Sequence, residues 1–172
     1  QGDAGDDRGM GVASAPDGSV YVAEYGLYSL EKYGSDGTLL WSRAFGGNSE
    51  AVRVCSNGDV VVCGEYGGAN ILGQGEAHQT TLSGGNSFLA RFAADGSLAW
   101  ARTIVGSSSR ALAVDKDGNI CLTTPQAVAK YDANGNSLWS KSLSGSSARN
   151  EGIACLPDGS ILMCGYFLNG GT

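Results

Sequence analysis

DGTLLWSRAFGG (residues 36–47) returns twice, as DGSLAWARTIVG (95–106) and NGNSLWSKSLSG (134–145). All three tryptophans of the chain, Trp41, Trp100 and Trp139, lie in these copies, each five residues after an Asp or Asn that is followed by Gly. A second pattern lies upstream of each copy. It reads GVASAPDGSVYVAE from Gly11, AVRVCSNGDVVVCG from Ala51, ALAVDKDGNICLTT from Ala111 and GIACLPDGSILMCG from Gly152. Each of these is an apolar run, a turn and another apolar run. The turns are Asp17-Gly18, Asn57-Gly58, Asp117-Gly118 and Asp158-Gly159, the residue pairs preferred where a hairpin needs positive φ. Pro16 and Pro157 preset φ just before two of them.

Between the two patterns runs a third apolar segment, LYSLEKY (27–33), FLARF (88–92) or AVAKY (127–131). The unit therefore has four strands; in the first copy they are predicted over 11–15, 19–25, 27–33 and 39–45. The repeats run over 9–47, 48–106 and 107–145, with an incomplete fourth over 146–172. The tryptophans are 59 and then 39 residues apart, so the second unit is about 20 residues longer. The extra residues, 67–86, fall between its second and third strands. Their apolar residues are sparse, which predicts a protruding hairpin or loop.

Composition agrees with many short strands. The chain has 28 Gly in 172 residues and only 16% charged residues. No 15-residue stretch has helical apolar spacing, and Gly costs about 1 kcal/mol per helix position. Antiparallel four-stranded units of about 40 residues, punctuated by glycine, point to an all-β fold, a β-propeller with about 3.5 blades in this chain. One unit cannot cover both faces of its own sheet, and stacking against neighbours does. A β-sandwich gives no reason for a Trp at one place in every unit.

These residues carry a family resemblance. GVASAPDGSVYVAEYGLYSLEKYGSDGTLL (11–40) resembles an NHL-type propeller repeat, and SFLARFAADGSLAWARTIVG (87–106) resembles bacterial secreted repeats of the SBBP kind. The Gly-x-x-x-Trp spacing resembles the tryptophan-docking strand of PQQ-type propellers. The resemblance spans about residues 9–165. It implies that the first strand of each unit lines the propeller axis and the fourth lies at the rim. It also implies a ring of about 4–8 blades, so further blades in a parent chain, or self-association of an exposed blade edge, are expected. The Gln1 start suggests a removed leader or an excised piece. Two chains of 3.5 units sum to seven blades, yet neither has a spare third-and-fourth-strand pair.

Function classes are narrowed by charge and by missing motifs. The net charge of −6, without a basic run, excludes nucleic acid as a partner. No apolar run approaches the roughly 18 residues of a membrane span. Five Cys at 55, 63, 121, 155 and 164 contain no CxxC and match no zinc spacing. They read as small buried hydrophobes, with a cross-strand disulfide as the alternative. DKDGN (115–119) fails the calcium-loop pattern, because Gln126 stands where a Glu is needed. GDAGDDR (2–8) reads as a solvated entry segment. Gly-rich stretches lack a Walker Lys, Ser-rich ones lack a nucleophile elbow, and the adjacent cysteines of quinoproteins are missing. No catalytic, metal or cofactor residues are assigned.

Lys32, Arg91 and Lys130 precede the second turn by four residues, and Arg43, Arg102 and Lys141 follow Trp by two. Such repetition is expected of cations on the solvent side of an outer strand, blocking edge pairing. The insert alone breaks the repeat. Its polar residues Asn70, Gln74, Glu76, His78 and Gln79 form the candidate interaction loop. The reading is a non-catalytic scaffold or interaction module of a secreted or surface bacterial protein, extracellular or periplasmic, binding protein or carbohydrate without a cofactor. The alternative is a piece of a propeller enzyme, a lyase, hydrolase or quinoprotein, with its active residues in other blades.

The tryptophans are expected as blade-docking residues at equivalent places between blades. Phe at each position should then lower stability in equilibrium unfolding by about 1–3 kcal/mol. Three rings exposed on one rim would favour a glycan-stacking platform instead.

Overall fold

The computed structural model describes residues 8–25, 29–105, 109–143 and 148–167. The acidic entry segment before Arg8, the start of LYSLEKY and parts of both Ser-rich stretches lie outside them.

The Asp/Asn-Gly turns join antiparallel strands in chain order. The first sheet is β1 (Arg8–Ser14), β2 (Val20–Tyr25), β3 (Ser29–Tyr33) and β4 (Leu39–Ala44). The second begins with β5 (Gly47–Val54) and β6 (Val60–Tyr66). It is interrupted by a hairpin, β7 (Asn70–Leu72) and β8 (Thr80–Leu82), and completed by β9 (Ser87–Phe92) and β10 (Leu98–Ile104). The third is β11 (Ala111–Val114), β12 (Ile120–Thr124), β13 (Ala127–Tyr131) and β14 (Ser137–Ser142). β15 (Ala148–Cys155) and β16 (Ile161–Phe167) form a fourth pair. All described regular elements are strands, and no helix among the described residues is long and apolar enough to cross a membrane. β1, β5, β11 and β15 pack against one another in series, the arrangement of inner strands in an open, partial β-propeller.

The turns explain the sharp reversals. Asp95 Oδ1 accepts the Ser97 N–H at 2.9 Å, and the Gly96 N–H bonds to Ala93 O at 2.9 Å. The glycines of the seven such hairpins have φ between 77° and 87°, a region costly for other residues.

Two kinds of bulge recur among the blades. In the inner strands the register slips past Met10, Glu50 and Glu151. This is why strands predicted from Gly11 and Ala51 begin earlier, at Arg8 and Gly47. In the outer strands it slips past Leu40, Ala99 and Leu138, leaving Lys32 opposite Trp41, Arg91 opposite Trp100 and Lys130 opposite Trp139. An extra unpaired residue re-aims the side chains beside it.

The core lies between sheets. Tyr21, Leu30, Phe45, Val60, Val62, Phe88, Phe92 and Leu98 fill the space between the first and second. Val61, Cys63, Leu89, Trp100, Leu112, Ile120 and Leu122 fill that between the second and third. Each β6 residue from Val60 to Cys63 is buried, because one face of this central sheet serves each core. The insert departs from expectation. Leu72 and Leu82 are buried in the first core, so the hairpin folds back rather than protruding. Each such leucine contributes about 1.5–3 kcal/mol. All five cysteines are free thiols: Cys55, Cys63 and Cys121 are buried, while Cys164 is exposed on β16, contrary to the uniform burial expected.

The cations of the third strands also depart from expectation. They do not face solvent; they pair with the turn between the first and second strands. Lys32 lies 3.6 Å from Asp17, Arg91 2.9 Å from Asp59 and Lys130 2.9 Å from Asp115. Burial alone would raise the Asp115 pKa, but hydrogen bonds from Asn119 and Lys130 prevail and hold it at about 2. The same contact raises the Lys130 pKa. A depressed carboxyl stabilises above its unfolded value and loses that stability as pH falls through the folded one. Asp115→Asn should therefore reduce stability in urea unfolding at pH 7, and the difference from wild type should shrink as pH falls from about 4 towards 2.

Candidate functional site

The cross-strand pairing of cation and tryptophan places both beside the next sheet. Trp41 Nε1 donates to Ala94 O at 3.1 Å, and Lys32 Nζ donates to the same oxygen at 3.2 Å. One blade on, Trp100 Nε1 donates to Ala133 O at 3.0 Å, and Arg91 also donates to it at 3.0 Å. The second cation of each set reaches the same turn: Arg43 donates to Gly96 O at 2.7 Å and Arg102 to Asn134 O at 3.2 Å. Their guanidinium carbons stand 5.9 Å and 5.5 Å from the Trp41 and Trp100 ring centres.

The indoles occupy the space a Cβ would need. At Gly96 it would meet Trp41 at 2.9 Å, and at Gly135 it would meet Trp100 at 2.8 Å. Trp139 differs. Trp100 is 9% exposed and Trp139 36%, in a strand exposed along all six residues. Among the described residues no turn of a following sheet lies against Trp139.

The insert's polar residues divide into two groups. Asn70 donates to Phe45 O, Glu76 accepts the Leu98 N–H, and Gln79 Oε1 accepts the Gly75 N–H at 2.8 Å. The Asn70 and Glu76 bonds hold the hairpin against the sheets, and the Gln79 bond closes its own turn. Gln74 and His78 are exposed. His78 and Gln79 border a groove of about 440 Å³ with Trp100 and Arg102. In the sequence His78 and Gln79 belong to the candidate interaction loop, Trp100 to the blade-docking residues and Arg102 to the repeated cations; the fold brings the four together.

A larger cleft of about 620 Å³ lies where the insert is rooted. Gly46, Gly47 and Asn48 line it from the link into β5, Glu65 to Gly67 from the end of β6, and Asn86 from the return into β9. The Tyr66 N–H bonds to Asn86 O at 2.9 Å and closes the base of the insert. Asn48 Oδ1 is buried without a hydrogen-bond partner; so are Ser109 Oγ and Arg110 Nε, at the start of the neighbouring inner strand. Burial and then the charge of Glu65 raise the pKa of Glu50, the bulged residue of β5, while Arg110 opposes the rise. The cleft was not legible in the repeat because the insert that roots it occurs in one unit, and the residues just before each regular inner run also vary: Met10, Glu50, Arg110 and Glu151 stand at equivalent places. That variation just before each regular run was the available signal.

Chemically, the cleft offers backbone groups, the amides of Asn48 and Asn86 and the carboxylate of Glu65. Among the described residues no group of three or more His, Cys, Asp or Glu is placed to hold a metal.

Gly37, with φ of 82°, has no neighbour within 4 Å of a built Cβ. It shares the backbone strain of Gly96 and Gly135 without the indole contact. Gly37→Ala should cost about 1–2 kcal/mol in denaturant unfolding. Gly96→Ala and Gly135→Ala should each cost a further 1–3 kcal/mol or so from overpacking.

The family model described as outer membrane protein assembly factor BamB matches residues 3–152. A protein of unknown function from Bacteroides caccae is similar in structure, with a TM-score of 0.60 and 18% identity, over 91% of this chain and 53% of that one. The WD40 β-propeller domain of Doa1 is similar with a TM-score of 0.64 and 13% identity, over 93% of this chain and 46% of that one. The chain thus spans about half the length of each. No curated protein matches the sequence.

Proposed function

The chain belongs to the family described as outer membrane protein assembly factor BamB, and on that premise we propose that it is a non-catalytic propeller scaffold that binds a protein partner. Its place of work is the bacterial cell envelope, on the periplasmic or outer side. Trp41 and Trp100 serve as blade-docking residues and leave the loops free to recognise the partner.

The observation that carries this reading is the cleft at the root of the insert. The backbone of Gly46 and Gly67 is exposed at its mouth, Gly47 pairs with Tyr66 beside it, and Asn48 Oδ1 stands in its lining without a hydrogen-bond partner. A buried acceptor without a donor costs about 1–3 kcal/mol, which an incoming peptide N–H removes. Because only one of the units in this sequence carries the insert, these units present one such site rather than a symmetric set. A protein is favoured over a glycan because Trp41 and Trp100 are engaged with turns and guanidinium groups and offer no free ring for stacking.

A photo-crosslinking residue in place of Asn86 should give discrete polypeptide adducts in cells of the native host. The same residue at Ser56, in a turn at the other end of the blade, should not, and Glu65→Arg should weaken the Asn86 adducts. Equal labelling at both positions, or glycan binding without any polypeptide adduct, would contradict the proposal.

A further inference from the structure

The insert treats its two neighbouring tryptophan strands differently. Towards the first sheet it supplies Glu76, whose carboxylate lies 3.9 Å from Arg43 Nε. Towards the other side it supplies His78, Gln79 and Thr80, which border Trp100, Arg102 and Asn134 around the 440 Å³ groove. No acidic side chain lines this groove.

Arg102 is consequently a fixed cation without a carboxylate. Its Nη1 donates to Ala101 O at 2.8 Å, its Nη2 to Asn134 O at 3.2 Å, and its guanidinium lies over Trp100. A guanidinium has five N–H donors, so these two bonds leave three unspent. Among the described residues no carboxylate comes within ion-pair distance of it, whereas Arg91 has Asp59 and Arg43 has Glu76. Asp132 is close enough to feel the charge of Arg102, but its oxygens accept from Asn134 N, Asn136 N and Asn136 Nδ2.

The other polar groups also present donors. Gln79 has its oxygen occupied by the Gly75 N–H and keeps its NH₂ group. The Asn134 side chain adds a second amide, and the exposed His78 a ring N–H. We propose that this rim groove is a binding subsite for a carboxylate group carried by an acidic polypeptide segment. A planar guanidinium already immobilised by two carbonyls loses little entropy on taking a carboxylate. An acidic peptide is favoured over an acidic glycan because Trp100, covered by Gly135 and Arg102, leaves no ring for a sugar to stack on. The net charge of −6 makes the subsite act at contact range and weaken with salt. The groove shares no lining residue with the cleft of Asn48 and Glu65, so each reading can fail while the other stands.

The test is a titration of the isotope-labelled chain with acetyl-hexaglutamate amide at low ionic strength, followed by NMR. The Trp100 indole N–H and Arg102 Nε–H signals should move saturably, while the Trp139 indole stays in place. Arg102→Gln should weaken binding roughly tenfold or more, equivalent to about 1.4 kcal/mol. His78→Glu puts a like charge into the groove from an exposed position without touching the Trp100 contacts, and it should weaken binding by a similar factor. Three results would overturn the proposal: no saturable shift at millimolar peptide, unchanged affinity in both variants, or a response to oligogalacturonate but not to hexaglutamate.

Discussion

One backbone carbonyl at the tip of the second and of the third outer turn, Ala94 O and Ala133 O, receives an indole N–H and a cation together from the preceding sheet. The rest of the arrangement is organised around that acceptor. A turn carbonyl at a sheet boundary loses its water and must be satisfied. Two donors reach it because the outer-strand bulge sets Trp41 opposite Lys32 and Trp100 opposite Arg91. The same cation pairs behind with the carboxylate of its own inner turn, Asp17 or Asp59. A single side chain therefore links inner turn, outer strand and next blade. Glycine follows the acceptor by two residues because the indole fills the volume a Cβ would take.

This contact fixes the spacing of the sheets, and the two apolar cores fill the space it defines. The second sheet has a neighbour on each side and is buried on both faces. The third packs its inner strands β11 and β12 against β15, while β14 is exposed from end to end. The insert then uses the regular frame to build something irregular. It anchors two leucines in the first core, neutralises Arg43 with Glu76, and leaves Arg102 bordered by amides and an imidazole. It also roots the cleft at Asn48 and Glu65. Both candidate surfaces depend on a segment found in one repeat.

What the sequence made legible was whatever repeats. Asp/Asn-Gly turns, alternating apolar runs and a Trp at constant offset specify four-stranded antiparallel sheets, because each sets a local backbone choice. The family match and the propeller relatives agree with that fold; the narrower likeness to NHL-type and SBBP-type repeats rests on the quoted residues alone. The direction of the cations was not legible. Lys32 and Arg91 look like rim charges in a linear pattern, and only the bulges bring them to a turn carbonyl and a carboxylate. The fold of the insert was hidden because Leu72 and Leu82, ten residues apart, carry no periodicity yet meet one core. Glu50 and Arg110 were hidden because they vary where the repeat is otherwise regular, and their proximity is a matter of neighbouring inner strands.

The central claim is that the indole N–H groups of Trp41 and Trp100 are held by the turn of the next blade. Hydrogen exchange at these two indole nitrogens measures this directly. The account predicts that both exchange slowly, with protection approaching that of the core strands. Exchange of either near the rate of a free indole would contradict it.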